Sequence, residues 1–187
     1  MQALLIYLLV IIIPESFTEP KGLKVGDKAP DFSIMDQNGE KVSLKETLMQ
    51  GDVVLTFYRG AWCRYCMKQM MDYQDSLHMI TDLGATLIAI SPEHEAGIQK
   101  TVEKAGVTFS LIHDDELQIM LDYKVVSQEK VNEYLKLSKE TDEDISRKYV
   151  PVPALYIINQ EGIIEFVSFN PDYKKRMTVD QILKRLM

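Results

Sequence analysis

The segment Asp52 to Tyr58 (DVVLTFY) constrains this chain most, because it is apolar at nearly every position. A strand with one wet face alternates. A near-continuous apolar run needs cover on both faces, which places it inside a sheet packed between layers. A turn follows from Gly60 to Cys66, and then a helical pattern from Met67 to Leu83 in which Met70, Tyr73, Leu77, Ile80 and Leu83 recur three or four apart. The only two cysteines of the chain, Cys63 and Cys66, stand between that strand and that helix.

Strands and helices alternate beyond this point. Ala85 to Ile90 reads as a second buried strand, Glu93 to Ala105 as a helix ended by Gly106, and Phe109 to Ile112 as a short strand. Asp114 to Tyr123 reads as a helix whose leading acids suit its dipole. Ser127 to Lys148 is strongly charged and reads as a solvated helical insertion, acidic from Glu140 to Asp144. Leu155 to Asn159 and Ile163 to Phe169 form a hairpin around Gln160-Glu161-Gly162, and Thr178 to Met187 closes the chain as a helix with Thr178 as its N-cap. Upstream, Asp36-Gln37-Asn38-Gly39 marks a hairpin within Phe32 to Leu44. The pattern predicts an α/β fold with a mixed central sheet, helices on both faces and an N-terminal β-hairpin extension.

A chain of 187 residues fits one domain at roughly 100–200 residues each. That domain is expected over residues 21–187, after an N-terminal apolar segment, residues 1–20. The run Ala3 to Ile13 would cover about 16 Å as a helix, against about 30 Å of hydrocarbon, so it is short for a span and has the length of a signal-peptide core. It carries no Lys or Arg ahead of it and no clear cleavage site after it. An exported (periplasmic or other extracytoplasmic) or membrane-anchored location is the favoured expectation, a cytoplasmic one the alternative. Any membrane contact is expected through this segment alone.

The Cys-x-x-Cys spacing suits redox work. A helix start offers free N–H groups and a favourable dipole, so a thiolate at Cys63 is stabilised there. Cys66, one turn deeper on the same face, can attack a mixed disulfide made by the first. Arg59 and Arg64 add positive charge that lowers a thiol pKa, and Trp62 and Tyr65 give an apolar rim for a docking partner. Two other readings are an inert disulfide and half of a zinc site. A four-residue loop is a poor staple. Zinc needs two more ligands, and His78, His94 and His113 show no paired spacing. No metal is expected. No glycine-rich phosphate loop points to a flavin or nucleotide, so no cofactor is expected either. The net charge of −7 disfavours a nucleic-acid partner.

At these residues the chain resembles the thioredoxin superfamily, and within it the peroxiredoxin-like branch (alkyl hydroperoxide reductase/thiol-specific antioxidant, AhpC/TSA). Val25-Gly26-Asp27-Lys28-Ala29-Pro30-Asp31-Phe32 is similar to the family's opening V-G-D-x-A-P-D-F. Phe57 to Cys66 (FYRGAWCRYC) resembles its F-Y-R-G-x-W-C-x-Y-C members, and Ile90-Ser91-Pro92-Glu93 its I-S-P-[DE]. Val152-Pro153-Ala154 is similar to the segment that carries a cis-proline facing the thiols, and Asp172-Tyr173-Lys174-Lys175-Arg176 to a C-terminal D-Y-x-x-R stretch. The resemblance implies a thioredoxin-like fold and a redox enzyme, with Cys63 attacking and Cys66 resolving. It also implies that Val152 and Pro153 help bind substrate, the cis-Pro153 exposing the Val152 backbone to an extended partner.

The P-x-x-x-T-x-x-C of true peroxiredoxins is absent. Counted back from Cys63 its Pro and Thr positions hold Thr56 and Gly60, and counted back from Cys66 they hold Arg59 and Cys63. Thiol–disulfide exchange is therefore the leading expectation, a thiol-dependent peroxidase the first alternative and a non-catalytic redox-sensitive binding module the second. The substrate would be a disulfide or a peroxide. The electron donor would be a thiol system such as thioredoxin, glutathione or a membrane reductase. His94, His113 and Asp52 read as structural. Arg176 reads as a surface residue, with an anion contact in the folded site as the alternative.

Overall fold

A computed structural model describes residues 19–141 and 146–187. The apolar run Ala3 to Ile13 and the acids Asp142 to Asp144 lie outside the described residues. Among the described residues no helix is long and apolar enough to cross a membrane.

The strand expected from DVVLTFY is β3 (Val53–Phe57), the centre of a five-stranded sheet. It runs parallel to β4 (Thr86–Ser91), which runs parallel to β5 (Ser110–His113). On its other side β3 pairs antiparallel with β6 (Ala154–Ile158), and β6 with β7 (Ile164–Phe169). The order is β5-β4-β3-β6-β7. A separate two-stranded hairpin, β1 (Ser33–Met35) and β2 (Lys41–Ser43), precedes it and leads into α1 (Leu44–Leu48).

All five residues of β3 are buried, and period-2 alternation divides them between two cores. Val53, Leu55 and Phe57 pack with Ile88, Ile90, Tyr123 and Tyr156. Val54 and Tyr58 pack with Cys66, Met70, Tyr73, Leu87 and Leu155. Each such side chain contributes about 1.5–3 kcal/mol. Phe57, Tyr123 and Tyr156 stack with centroids 5.2 and 5.3 Å apart. The two tyrosine hydroxyls are satisfied: Tyr123 donates to the Pro30 carbonyl (2.9 Å) and Tyr156 to the Tyr123 carbonyl (3.2 Å).

The helices are α2 (Arg64–Asp75), α3 (Leu77–Asp82), α4 (Glu95–Ala105), α5 (Gln118–Asp122), α6 (Gln128–Leu137) and α7 (Val179–Leu186). Three boundaries differ from expectation. The helix expected over Met67 to Leu83 starts at Arg64 and breaks at Ser76, whose ψ of 12° leaves the helical well. The helix expected from Glu93 begins at Glu95, with His94 as its cap accepting from the Ala96 N–H (3.1 Å). The helix expected from Asp114 begins at Gln118, because Leu117 takes φ +58° and interrupts it. The 127–148 stretch is not solvated throughout: α6 buries Val131 and Tyr134, and Tyr134 meets Tyr149 at 5.3 Å.

Candidate active site

The strand β3 delivers the chain to Arg59 and Gly60, and the turn that follows sets Cys63 at the N-cap of α2, with φ −86° and ψ 105°. Its carbonyl accepts the first helical bond, from the Met67 N–H (3.0 Å). Both cysteines are free thiols. Cys63 is 4% exposed and Cys66, in the first turn, is 0% exposed. The outer thiol is thus the one a substrate can reach.

The two sulfurs differ electrostatically. A hydrogen bond from the Cys66 thiol lowers the Cys63 pKa most. The Cys66 N–H and the charges of Arg176 and Arg59 lower it further, against the cost of burial. The same bond and burial push the Cys66 thiol up. Cys63 is the acid of the pair, and Cys66 keeps its proton until called on to ionise.

Arg176, expected at the surface, is part of this site. One guanidinium nitrogen donates to Cys66 Sγ (3.2 Å), another to Gln69 Oε1 (3.4 Å), and Nε donates to the Tyr173 carbonyl (2.9 Å). The 170–177 loop therefore closes over the buried thiol. The D-Y-x-x-R pattern was the available signal for this residue.

A second group was not singled out by the sequence. Glu93 is buried directly under the turn before Cys63, and its Oε2 accepts from the Ala61 N–H (2.6 Å). Lys104 Nζ donates to the carbonyl of the same residue (3.0 Å). One acid and one base from α4 and its approach thus hold both polar groups of Ala61. Gly60, at φ +137°, is required twice over: the backbone favours glycine, and a Cβ would fall inside the Glu93 carboxyl. The signal that could have found Glu93 is its place in Ile90-Ser91-Pro92-Glu93, directly after a buried strand.

A rim of rings and cations surrounds Cys63. The Arg59 guanidinium lies 4.7 Å from the Trp62 ring and 4.5 Å from the Tyr173 ring. Tyr173 meets Tyr65 edge-on at 5.8 Å. Arg64 donates to the Tyr65 hydroxyl (2.8 Å) and lies over that ring, and Arg147 lies 5.9 Å from Trp62.

The cis-Pro153 expectation is corrected. Among the described residues no peptide bond is cis. The Val152 N–H is taken by the Val125 carbonyl (2.8 Å), and the Pro153 carbonyl accepts from the Asn170 N–H (3.2 Å). The Val152 N–H is therefore occupied within the protein. Pro153 still stands near the site, lining a small recess with Gln69 and Arg176. Asp52 lies at the other end of β3 from the thiols and takes no part. His113 ends β5 beside the hairpin, where it lines a cavity of about 550 Å³ with Asp36 and Asp115. Among the described residues no cluster of His, Cys, Asp and Glu could hold a metal ion.

Fold and site together define a thiol-based oxidoreductase of thioredoxin-like architecture. Residues 25–167 match the model of the AhpC/TSA family, and the chain belongs to that family. It is similar to the chloroplastic peroxiredoxin Q of Arabidopsis thaliana, at 28% identity over 94% of this chain and 74% of that one. It is also similar to the thiol-disulfide oxidoreductase ResA of Geobacillus kaustophilus, at 32% identity over 58% of this chain and 62% of that one. The fold matches the crystal structure of peroxidoxin BcpB from Mycobacterium tuberculosis with a TM-score of 0.67, at 21% identity over 88% of this chain and 96% of that one.

Proposed function

We propose that the protein reduces disulfides by cycling Cys63 and Cys66 between dithiol and disulfide. The Cys63 thiolate attacks one sulfur of the substrate, the substrate S–S bond breaks, and the released thiolate takes a proton. Cys66 then loses its proton beside Arg176 and attacks the Cys63 sulfur, expelling the second thiolate. Two electrons pass from the cysteines to the substrate, and a thiol donor returns them. The observation that carries this reading is the asymmetry of the pair: a reachable, acidified sulfur at the helix start and a fully buried partner held against a guanidinium.

Cys66→Ser tests it. That variant should accumulate a mixed disulfide through Cys63 when mixed with a model disulfide, and Cys63→Ser should react with none. Adducts on Cys66 in the Cys63→Ser protein, at the wild-type rate, would overturn the assignment of roles.

Peroxide reduction by the same pair is the second reading, favoured by the family. Here Cys63 would attack an O–O bond, release an alcohol or water and be left as a sulfenic acid, which Cys66 would convert to the disulfide with loss of water. Stopped-flow oxidation of the reduced protein by hydrogen peroxide, at a rate far above that of a free thiol, would establish it. The segment 1–20 is read as targeting the domain 21–187. N-terminal sequencing of the secreted or membrane fraction after expression tests that.

A further inference from the structure

Four cations gather at the mouth of the thiol pair in a chain whose formal charge is −7. Arg59 is half-buried between Trp62 and Tyr173, Arg64 lies over Tyr65, Arg147 over Trp62, and Lys174 Nζ is 6.0 Å from the Tyr173 ring. Among the described residues none of the four pairs with a carboxylate. The neighbouring Lys175 does meet Asp172, at 4.0 Å. The Trp62 indole N–H is buried and without an acceptor among the described residues. Rings hold these cations in place without neutralising them, since a π-face attracts a cation and leaves its charge intact. The result is a positive collar around the rim of Cys63.

From this collar we infer the substrate class of the proposed disulfide reductase: a small disulfide that carries carboxylates. The inference rests on the dithiol reading above and adds the charge and size of what is reduced. Charge follows from the collar. A dianion is drawn toward the only sulfur that is both acidified and reachable, and a dication is repelled. Size follows from two observations. Cys63 is only 4% exposed within the ring of Trp62, Tyr65 and Tyr173, and the Val152 N–H is already bonded to Val125, so that donor is closed to an extended polypeptide. Carboxylates suit the donors present, because planar guanidinium groups bind them through paired N–H bonds.

The test is a charge series. The reduced full chain is mixed with dithiodiglycolate (dianion), 2-hydroxyethyl disulfide (neutral) and cystamine (dication). Each rate is divided by that of dithiothreitol with the same disulfide, which removes intrinsic reactivity. At low ionic strength the normalised rates should fall in that order, by about tenfold or more from first to last. The spread should shrink at ~0.5 M salt. Arg147→Gln, an exposed position, should compress the series, and adding Lys174→Gln should compress it further. A dithiodiglycolate rate matched by an acidic disulfide-linked peptide would overturn the size argument. Equal or reversed rates, each still above the dithiothreitol reference, would overturn the charge argument and leave the disulfide reductase standing.

If no disulfide reacts faster than the reference, the functional proposal fails and the collar is decided by binding alone. S-methylglutathione, which cannot exchange, is titrated into Cys63→Ser protein while the fluorescence of Trp62, the only tryptophan, is followed. Saturable binding weakened by Arg147→Gln supports a carboxylate site, and no binding overturns it.

Discussion

Replacing Arg176 by Gln should separate the two half-reactions of the cycle. In the wild type a guanidinium nitrogen sits 3.2 Å from Cys66 Sγ. A unit charge at that distance favours the thiolate by about 1.3 kcal/mol at the permittivity of water, and by about 5 kcal/mol at an effective value of ~20. At about 1.36 kcal/mol per unit, its loss raises the Cys66 pKa by roughly 1 to 4 units. Arg176 is half-buried, so solvent screening favours the lower part of that range. The sign is fixed: Cys66 lies above the usual thiol range already, and without Arg176 a still smaller fraction is thiolate at any given pH. Resolution needs that thiolate, so at pH 7 it should slow at least ~10-fold. The assay is release of substrate thiol from a chromogenic disulfide at pH 5 to 10. The first equivalent reports attack by Cys63, and the second reports resolution by Cys66. In Arg176→Gln the second phase should be slowed far more than the first, and its pH profile should move alkaline by at least ~1 unit. Arg176→Lys, which keeps the charge and loses the planar fork, should restore part of the shift. A second phase slowed equally at every pH, or unshifted from wild type, would refute an electrostatic role and leave Arg176 a loop anchor.

Glu93→Ala should destabilise the protein by about 2–4 kcal/mol, since it empties a buried volume and strands the Ala61 N–H; urea unfolding measures this, and a loss under ~1 kcal/mol would contradict it. Gly60→Ala should be at least as disruptive to disulfide reduction as to stability, because relieving the clash with Glu93 displaces the turn that aims Cys63; an unchanged rate would show that the turn does not position the thiol. Burial raises the Asp114 carboxyl to about 6 despite N–H bonds from Met120 and Ile119, and like-charged Asp115 adds to the rise. The fold therefore holds a proton that the unfolded chain gives up near 3.8, and stability falls as pH climbs from there through about 6. The full span is about 3 kcal/mol. Asp114→Asn should flatten urea midpoints between pH 4 and 7, and a slope equal to wild type would contradict the assignment.

What could be read in advance was local. β3, the hairpin at Asp36 to Gly39, the β6–β7 turn at Gln160 to Gly162 and the Thr178 cap are each encoded within a dozen residues, by burial pattern or turn chemistry. Cys63 and Cys66 were legible for the same reason, since strand, turn and helix start are contiguous. The parts of the site that the sequence did not show, or in the case of Arg176 gave only as an alternative, are contacts between distant segments. Arg176 reaches Cys66 across 110 positions, Lys104 reaches Ala61 across 43, and Glu93 reaches Ala61 across 32. No periodicity reports such pairs. The helix starts at Glu95 and Gln118 were missed because His94, Asp114 and Leu117 divert the backbone at single residues, where window-based patterns have no resolution. At Pro153 the family resemblance was stronger than the local physics. A trans X–Pro bond is the intrinsically favoured one by about 0.5–1 kcal/mol, and here the flanking groups are bonded to Val125 and Asn170.

The difference between the two sulfurs is tested most directly by alkylating the reduced native protein with iodoacetamide from pH 4 to 10 and counting adducts at each cysteine by mass spectrometry. Cys63 should be labelled first, with a half-rise well below the ordinary thiol value of about 8.5, and Cys66 only after unfolding. Equal labelling of the two, or a Cys63 profile that follows a free thiol, would contradict the division of labour on which the proposed cycle depends.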